Sequence, residues 1–249
     1  MATAGRVERL GDAVILYDPL RMDHPREEWF EAEHWPALDG GAGAARGRGR
    51  VALITCADQQ WVLRRYLRGG LIGRLVRDRY LWTGAEDTRC FREWRLLFAV
   101  RQLGLPVPVP VAARFTPAGP IYRAELLTVR IPGLVSLAGR LSRDFPDAGA
   151  WRRVGACLRR FHDAGVCHAD LNAHNIHFDS AGAVQVLDFD RGRMMAAPGS
   201  WREHNLRRLK RSLEKVWPAG TRTSRSEAWK LLLDGYQDGA ASAAASGAA

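Results

Sequence analysis

The stretch HADLNAHN, residues 168–175, followed by VLDFD at 186–190, decides the fold of this chain. It fits the pattern H-x-D-L-x-x-x-N at each specified position, and Asp188 follows Asn175 by thirteen residues at the end of a strand-forming run. Any one of these residues alone reads as a turn or cap residue, since Asp and Asn favour such positions. Their joint spacing points to a site. Working outward, residues 147–165 carry Trp151, Val154, Leu158 and Phe161 at helical period, and the predicted helix stops at Gly165. Beyond the loop, 176–178 and 184–187 predict a small hairpin around Ser180–Gly182. Residues 201–217 and 225–236 predict two further helices, and the low-complexity segment 239–249 predicts a frayed or disordered tail.

Upstream the chain changes character. Residues 12–18 read as a strand and 24–38 as a helical segment. Residues 40–49 form a glycine-rich, arginine-bearing loop, and 51–55 and 60–66 predict two antiparallel strands turning at Ala57–Asp58. Residues 88–103 predict a helix capped by Gly104, after which Pro106, Pro108 and Pro110 forbid helix. Two more strands are predicted over 109–115 and 121–129. The expected division is therefore a β-rich domain over 1–131, a helical domain over 132–238 and a tail over 239–249.

In the residues just quoted, the sequence resembles the protein-kinase-like superfamily, whose catalytic loop and DFG segment have this order and spacing. The preceding FHDAGVCHADL (161–171) strengthens the likeness. The resemblance implies an α+β, bilobal, protein-kinase-like fold: an antiparallel sheet with one αC-type helix in the N-lobe, and a small, mainly helical C-lobe. It implies ATP and Mg2+ as cofactors. Asp170 is then the base that accepts a hydroxyl proton, His168 a hydrogen-bonding buttress, and Asn175 and Asp188 the oxygen ligands of the metal. Three departures stand out. DFD replaces DFG, which leaves Asp190 either an accessory to metal or substrate or an ordinary turn residue. No APE segment follows, which argues against a protein substrate. The first lysine of the chain is Lys210, so the β3 lysine is replaced by Arg64 in WVLR (61–64), with Glu93 as its candidate partner. Gly47 and Gly49 stand where a phosphate-cradling loop is expected, though without the G-x-G-x-x-G pattern; a surface loop fits as well. Thr128 and Arg130 lie at the expected nucleotide hinge.

Segments 63–82, 92–110 and 125–133 narrow the resemblance to the lipopolysaccharide-core kinases of Gram-negative bacteria, with R-x-Y-x-R-G-G-x-x-G (64–73) the most specific block. That family implies transfer of the ATP γ-phosphate to a hydroxyl, at O-4, of the Kdo sugar on a lipid A precursor. The work is done peripherally at the cytoplasmic face of the inner membrane, with no nucleic-acid partner. A net charge of +10 suits an anionic substrate on an anionic surface. Arg65, Arg68, Arg74 and Arg77, interleaved with apolar residues, are the candidate docking cations, and the basic amphipathic segment 201–216 is a second such surface. Core packing with a solvated basic face is the alternative reading of both patterns. No apolar run reaches the roughly 18–20 residues of a membrane span, and the N-terminus lacks a signal-peptide core, so a soluble chain is expected. Four scattered cysteines predict neither zinc nor disulfides. Competing readings are an aminoglycoside- or choline-type small-molecule kinase, which normally needs an acidic pocket, and a non-catalytic pseudokinase binding anionic lipid. The sequence carries no signal for oligomeric state.

Overall fold

The computed structural model describes residues 5–36, 51–56, 59–66, 80–81, 84–143, 147–219 and 224–246. The chain divides into two compact units, Met1–Arg101 with Pro108–Arg130, and Gln102–Val107 with Ile131–Ala249.

The first unit is built on an antiparallel sheet. Its strands are β1 (Arg6–Leu10), β2 (Ala13–Tyr17), β3 (Val51–Cys56), β4 (Gln59–Arg65), β5 (Tyr80–Leu81), β6 (Pro110–Ala118) and β7 (Ile121–Val129). The order across the sheet is β1-β2-β6-β7-β4-β3, with β5 also pairing β7. The predicted pair over 51–66 forms as β3 and β4, in a register that sets Val51 opposite Arg64 and Cys56 opposite Gln59. Strand β1 escaped the sequence reading because RVERL, an edge strand, is largely exposed and charged.

Side chains alternate across the sheet, so its two faces bury different partners. Helix α1 (Arg89–Gln102) covers one face: Phe91 meets Phe115 edge-on at 5.1 Å, and Cys90 donates its thiol to the carbonyl of Arg114 at 3.3 Å. The other face is covered by residues 18–35. The helix expected over 24–38 is instead two 3-10 turns, Glu27–Phe30 and Ala32–His34. Pro25 and Pro36 bracket the segment, and the adjacent Trp29 and Phe30 are both buried, which a tight turn allows. Trp29 packs edge-on against Trp61 of β4 at 5.3 Å.

The second unit is mainly helical, with α2 (Leu137–Arg143), α3 (Ala148–Asp163), α4 (Trp201–Val216) and α5 (Arg225–Ser246). Short strands β8 (Val135–Ser136), β9 (Val166–Cys167), β10 (Ile176–Phe178), β11 (Val184–Val186) and β12 (Arg193–Met194) pair as β11-β10-β8 and β12-β9. Asp147 caps α3, accepting from the amide of Ala150 at 2.6 Å. Helices α3 and α5 lie backbone to backbone. A Cβ at Gly155 would stand 1.9 Å from the carbonyl oxygen of Leu232, and one at Gly235 2.2 Å from that of Arg152. Helix α5 runs to Ser246, into the segment 239–249 expected as a frayed or disordered tail. Alanine has the highest helix propensity, so an Ala-rich run extends a helix already started.

Candidate active site

In the second unit, α3 ends at Asp163 and the chain turns through Gly165 (φ +74°) into β9, which delivers the loop 168–175. His168 is buried and ties the loop down on both sides. Its Nδ1 accepts from the backbone amide of Asp170 at 3.1 Å, and its Nε2 lies 2.9 Å from the carbonyl of Leu187. One neutral tautomer, protonated on Nε2, satisfies both contacts, and burial lowers the imidazole pKa in agreement. The ring also packs against Phe189 at 4.7 Å, and Phe189 stacks on Phe161. His168 is thus a hydrogen-bonded part of the loop's frame.

The carbonyl of Asp170 accepts from the side-chain amides of Asn172 and Asn175, both at 2.9 Å. With its nitrogen so used, the acceptor that Asn175 can offer a ligand is its amide oxygen. The amide of Leu187 donates to the carbonyl of Asn175 at 2.9 Å, which brings the segment carrying Asp188 alongside. Asp188 has φ +63° and Arg191 φ +60°, left-handed conformations uncommon for side-chain-bearing residues. Such a backbone costs energy and is concentrated at functional sites. Asn175 and Asp188 offer an amide oxygen and a carboxylate. That donor set fits magnesium, which takes few protein ligands and keeps waters and phosphate oxygens for the rest. Asp190 is half-buried in the tight turn closed by Gly192 donating to Phe189.

Sequence reasoning missed the partners that α4 supplies to this loop. Asn205 is buried and grips the backbone of His168, accepting from its amide at 3.2 Å and donating to its carbonyl at 3.0 Å. Arg208 approaches Asp170 with its Nε 2.9 Å from Oδ1 and one Nη on the same oxygen. The available signals were a polar residue, Asn205, in line with buried Leu209 and Leu213, and a loop at 168–175 with no Arg or Lys of its own. Arg207, Lys210, Arg211 and Lys215 are exposed along α4.

In the first unit, the structure brings Arg64 and Glu93 together. The guanidinium of Arg64, on β4, donates to Glu93, on α1, at 2.5 Å. Tyr66 donates its hydroxyl to the same carboxylate at 2.6 Å and lies under Arg64, whose guanidinium carbon is 4.7 Å from the ring centre. Burial and the neighbouring Glu93 raise the Tyr66 pKa well above its ordinary value, keeping it a donor. Thr128 lies in β7 opposite Val62, and Arg130 joins Gln60 through a side-chain bond of 2.6 Å. Arg65, grouped on sequence with the docking cations, points to the opposite face. There it pairs with buried Glu125 at 3.4 Å and with Glu33 at 3.2 Å, an engagement inside the unit rather than an outward one. Gly47, Gly49, Arg68, Arg74 and Arg77 lie outside the described residues. Among the described residues no helix is long and apolar enough to cross a membrane.

A family model described as "Lipopolysaccharide kinase (Kdo/WaaP) family" matches residues 36–236. The chain is 44% identical over 212 residues to a 3-deoxy-D-manno-octulosonic acid kinase of Stenotrophomonas maltophilia, covering 84% of this chain and 83% of that protein. It is 39% identical over 207 residues to the protein of the same name from Vibrio parahaemolyticus, covering 83% and 87%. With the one from Photobacterium profundum it shares 37% over 223 residues, covering 90% and 94%. The motif at 168–175, the pairing of Arg64 with Glu93 and these matches converge: the chain belongs to the lipopolysaccharide kinase (Kdo/WaaP) family.

Proposed function

We propose that this protein phosphorylates the Kdo sugar of a lipid A precursor in lipopolysaccharide core biosynthesis, taking the γ-phosphate of ATP and delivering it to O-4. The observation that carries the reading is the Asp170 loop, held by His168 and Asn205, in a chain whose relatives bear the Kdo kinase name. Asp170 receives the proton of the acceptor hydroxyl as the oxygen attacks phosphorus. Asn175 and Asp188 would hold Mg2+, which supplies charge neutralisation to the phosphate oxygens when bound. Arg64, fixed by Glu93 and Tyr66, is the proposed contact to the α/β-phosphates, where its fork can bind phosphate oxygens bidentately. Thr128 and Arg130 are the proposed hinge, Gly47 and Gly49 the proposed phosphate loop, and Asp190 an accessory of the metal site. The fold reading that goes with these roles is the bilobal kinase arrangement, with an N-lobe over 1–131 and a C-lobe over 132–238.

The proposed location is the cytoplasmic face of the inner membrane, held peripherally. The exposed cations of α4, with Arg68, Arg74 and Arg77, supply positive charge suited to anionic headgroups. An aminoglycoside-type acceptor is disfavoured by the same net charge of +10. The test is mass spectrometry of a Kdo–lipid A precursor incubated with ATP and Mg2+, with and without the protein. A gain of one phosphate on the Kdo residue is expected. Phosphorylation of an aminoglycoside, with none on the Kdo lipid, overturns the acceptor.

A further inference from the structure

The cation beside the proposed base comes from far along the chain. HADLNAHN contains neither Arg nor Lys, and Arg208 reaches Asp170 from α4, 38 positions downstream. This contact is built into the helix. Asn205 holds the loop at His168, and the hydroxyl of Ser212 accepts from the amide of Ala173 at 3.1 Å. Positions 205, 208 and 212 recur on one face of α4, so three successive turns meet one loop. The backbone that carries Arg208 is therefore fixed relative to the backbone that carries Asp170.

The Arg208 side chain is nevertheless 47% exposed and that of Asp170 29%. Exposed ion pairs contribute little to folding, so stability does not account for the pair. A guanidinium presents five N–H donors in a rigid fork. The Nε edge of Arg208 is directed at Oδ1 of Asp170. Among the described residues its outer edge, Nη1 with the second Nη2 hydrogen, has no protein partner. That edge matches an oxyanion bidentately.

We propose that Arg208 is the acceptor-positioning residue: one edge holds the Asp170 carboxylate, and the outer edge grips the carboxylate of an acidic sugar. This rests on the reading above, in which the acceptor is an octulosonic acid, a sugar bearing a carboxylate on the same residue as its hydroxyls. Anchoring the acid at Arg208 sets a hydroxyl of that residue against Asp170. The hydroxyl oxygen then bonds to the γ-phosphorus, the bond from that phosphorus to the nucleoside diphosphate breaks, and the hydroxyl proton passes to Asp170. Arg208 keeps its charge and gives up no proton. The γ-phosphate is a second oxyanion of the same chemistry, and the experiment separates the two.

Steady-state kinetics are measured on the full chain with ATP and Mg2+, using the Kdo-lipid acceptor as free acid and as its methyl ester. The wild type is expected to prefer the acid by about 10- to 100-fold in kcat/KM, the range of a charge-assisted bidentate contact. Arg208→Gln is expected to reduce that preference to roughly 3-fold or less, with Arg208→Lys between the two, because an ammonium keeps the charge but not the fork. Thermal melting of both variants is expected to match the wild type. If Arg208→Gln turns over too slowly, acceptor binding without ATP replaces kinetics: the variant should lose affinity for the acid and not for the ester. A wild-type-like preference in Arg208→Gln, equal loss for acid and ester, or a raised KM for ATP with the preference intact overturns the proposal. Failure of the wild type on both acceptors overturns the underlying acceptor reading instead.

Discussion

The first unit buries carboxylates against arginine, Glu93 with Arg64 and Glu125 with Arg114 at 3.1 Å, whereas the second buries imidazoles and leaves Asp170 half-buried. Each solution answers the same cost. A charge taken out of water must be paired and hydrogen-bonded, or the group must become neutral. Glu125 shows the first answer: burial raises its pKa, while Arg114 and Arg65 oppose the rise. Arg114 in turn donates to the carbonyl of Phe30 at 3.1 Å and pairs with Glu31, so its fork is satisfied. His162 and His177 show the second answer, with burial pushing each down to about 4. Glu93 and Glu125 hold arginines in a buried setting, while the Asp170 side chain stays 29% exposed, as the proposed base requires.

That contrast can be broken most sharply at its functional end. Asp170→Asn is expected to lower kcat by about 10²- to 10⁴-fold, the range of a lost general base, with unchanged thermal melting. A large fall in melting temperature would place Asp170 with the structural carboxylates instead. Glu125→Ala should show the reverse pattern. It leaves Arg114 buried beside an empty position, so urea unfolding should report a loss of about 3–5 kcal/mol. Replacing both partners, Glu125→Leu with Arg114→Met, should recover most of that loss, because the uncompensated charge is gone.

The histidines sharpen the comparison through pH. His162, His168 and His177 have folded pKa values below the ordinary 6.5, so below that pH the unfolded chain binds protons that the folded chain refuses. The stability they contribute is full above about pH 6.5 and is lost as pH falls toward 4. Urea midpoints at pH 7, 6 and 5 should fall in that order, and His162→Asn should flatten the trend. The smallest effect is expected at Tyr66→Phe. It removes one hydroxyl bond to Glu93 while Arg64 still holds the carboxylate, a loss of about 1.5 kcal/mol at pH 7. Because the folded pKa of Tyr66 is raised, its contribution should also fade as pH climbs above about 10, and the Phe variant should lack that fading.

Legibility in the sequence followed the range of the interactions. Strands β3 and β4 were readable because two runs rich in β-formers stand close together in the sequence, and α3 because its apolar stripe repeats every three to four residues. The pairing of Arg64 with Glu93, 29 positions apart, was readable only through the template that the motif at 168–175 supplied. Nothing local marks Arg65 as inward. Its basic neighbours suggested a docking patch, and only the register of β4 beside β7, Arg65 opposite Glu125, turns it toward a buried carboxylate. Arg208 lay hidden for a related reason. On α4 it is one of several cations, and the fold selects it by bringing Asn205 and Ser212 to the same loop.

The contact between α3 and α5 bears on how this protein can be trimmed. Composition invites a cut near Gly235 or Gly239, where alanine-rich low complexity begins. Yet Tyr236 lies 2.7 Å from Nδ1 of His162, Arg152 reaches Asp234 and Asp238, and Gly235 seats against the backbone of Arg152. A chain ended at residue 234 would strip the Tyr236 ring and the Asp238 carboxylate from the helix that leads into the loop 168–175. In expression work, the apparently dispensable end is the wrong place to shorten.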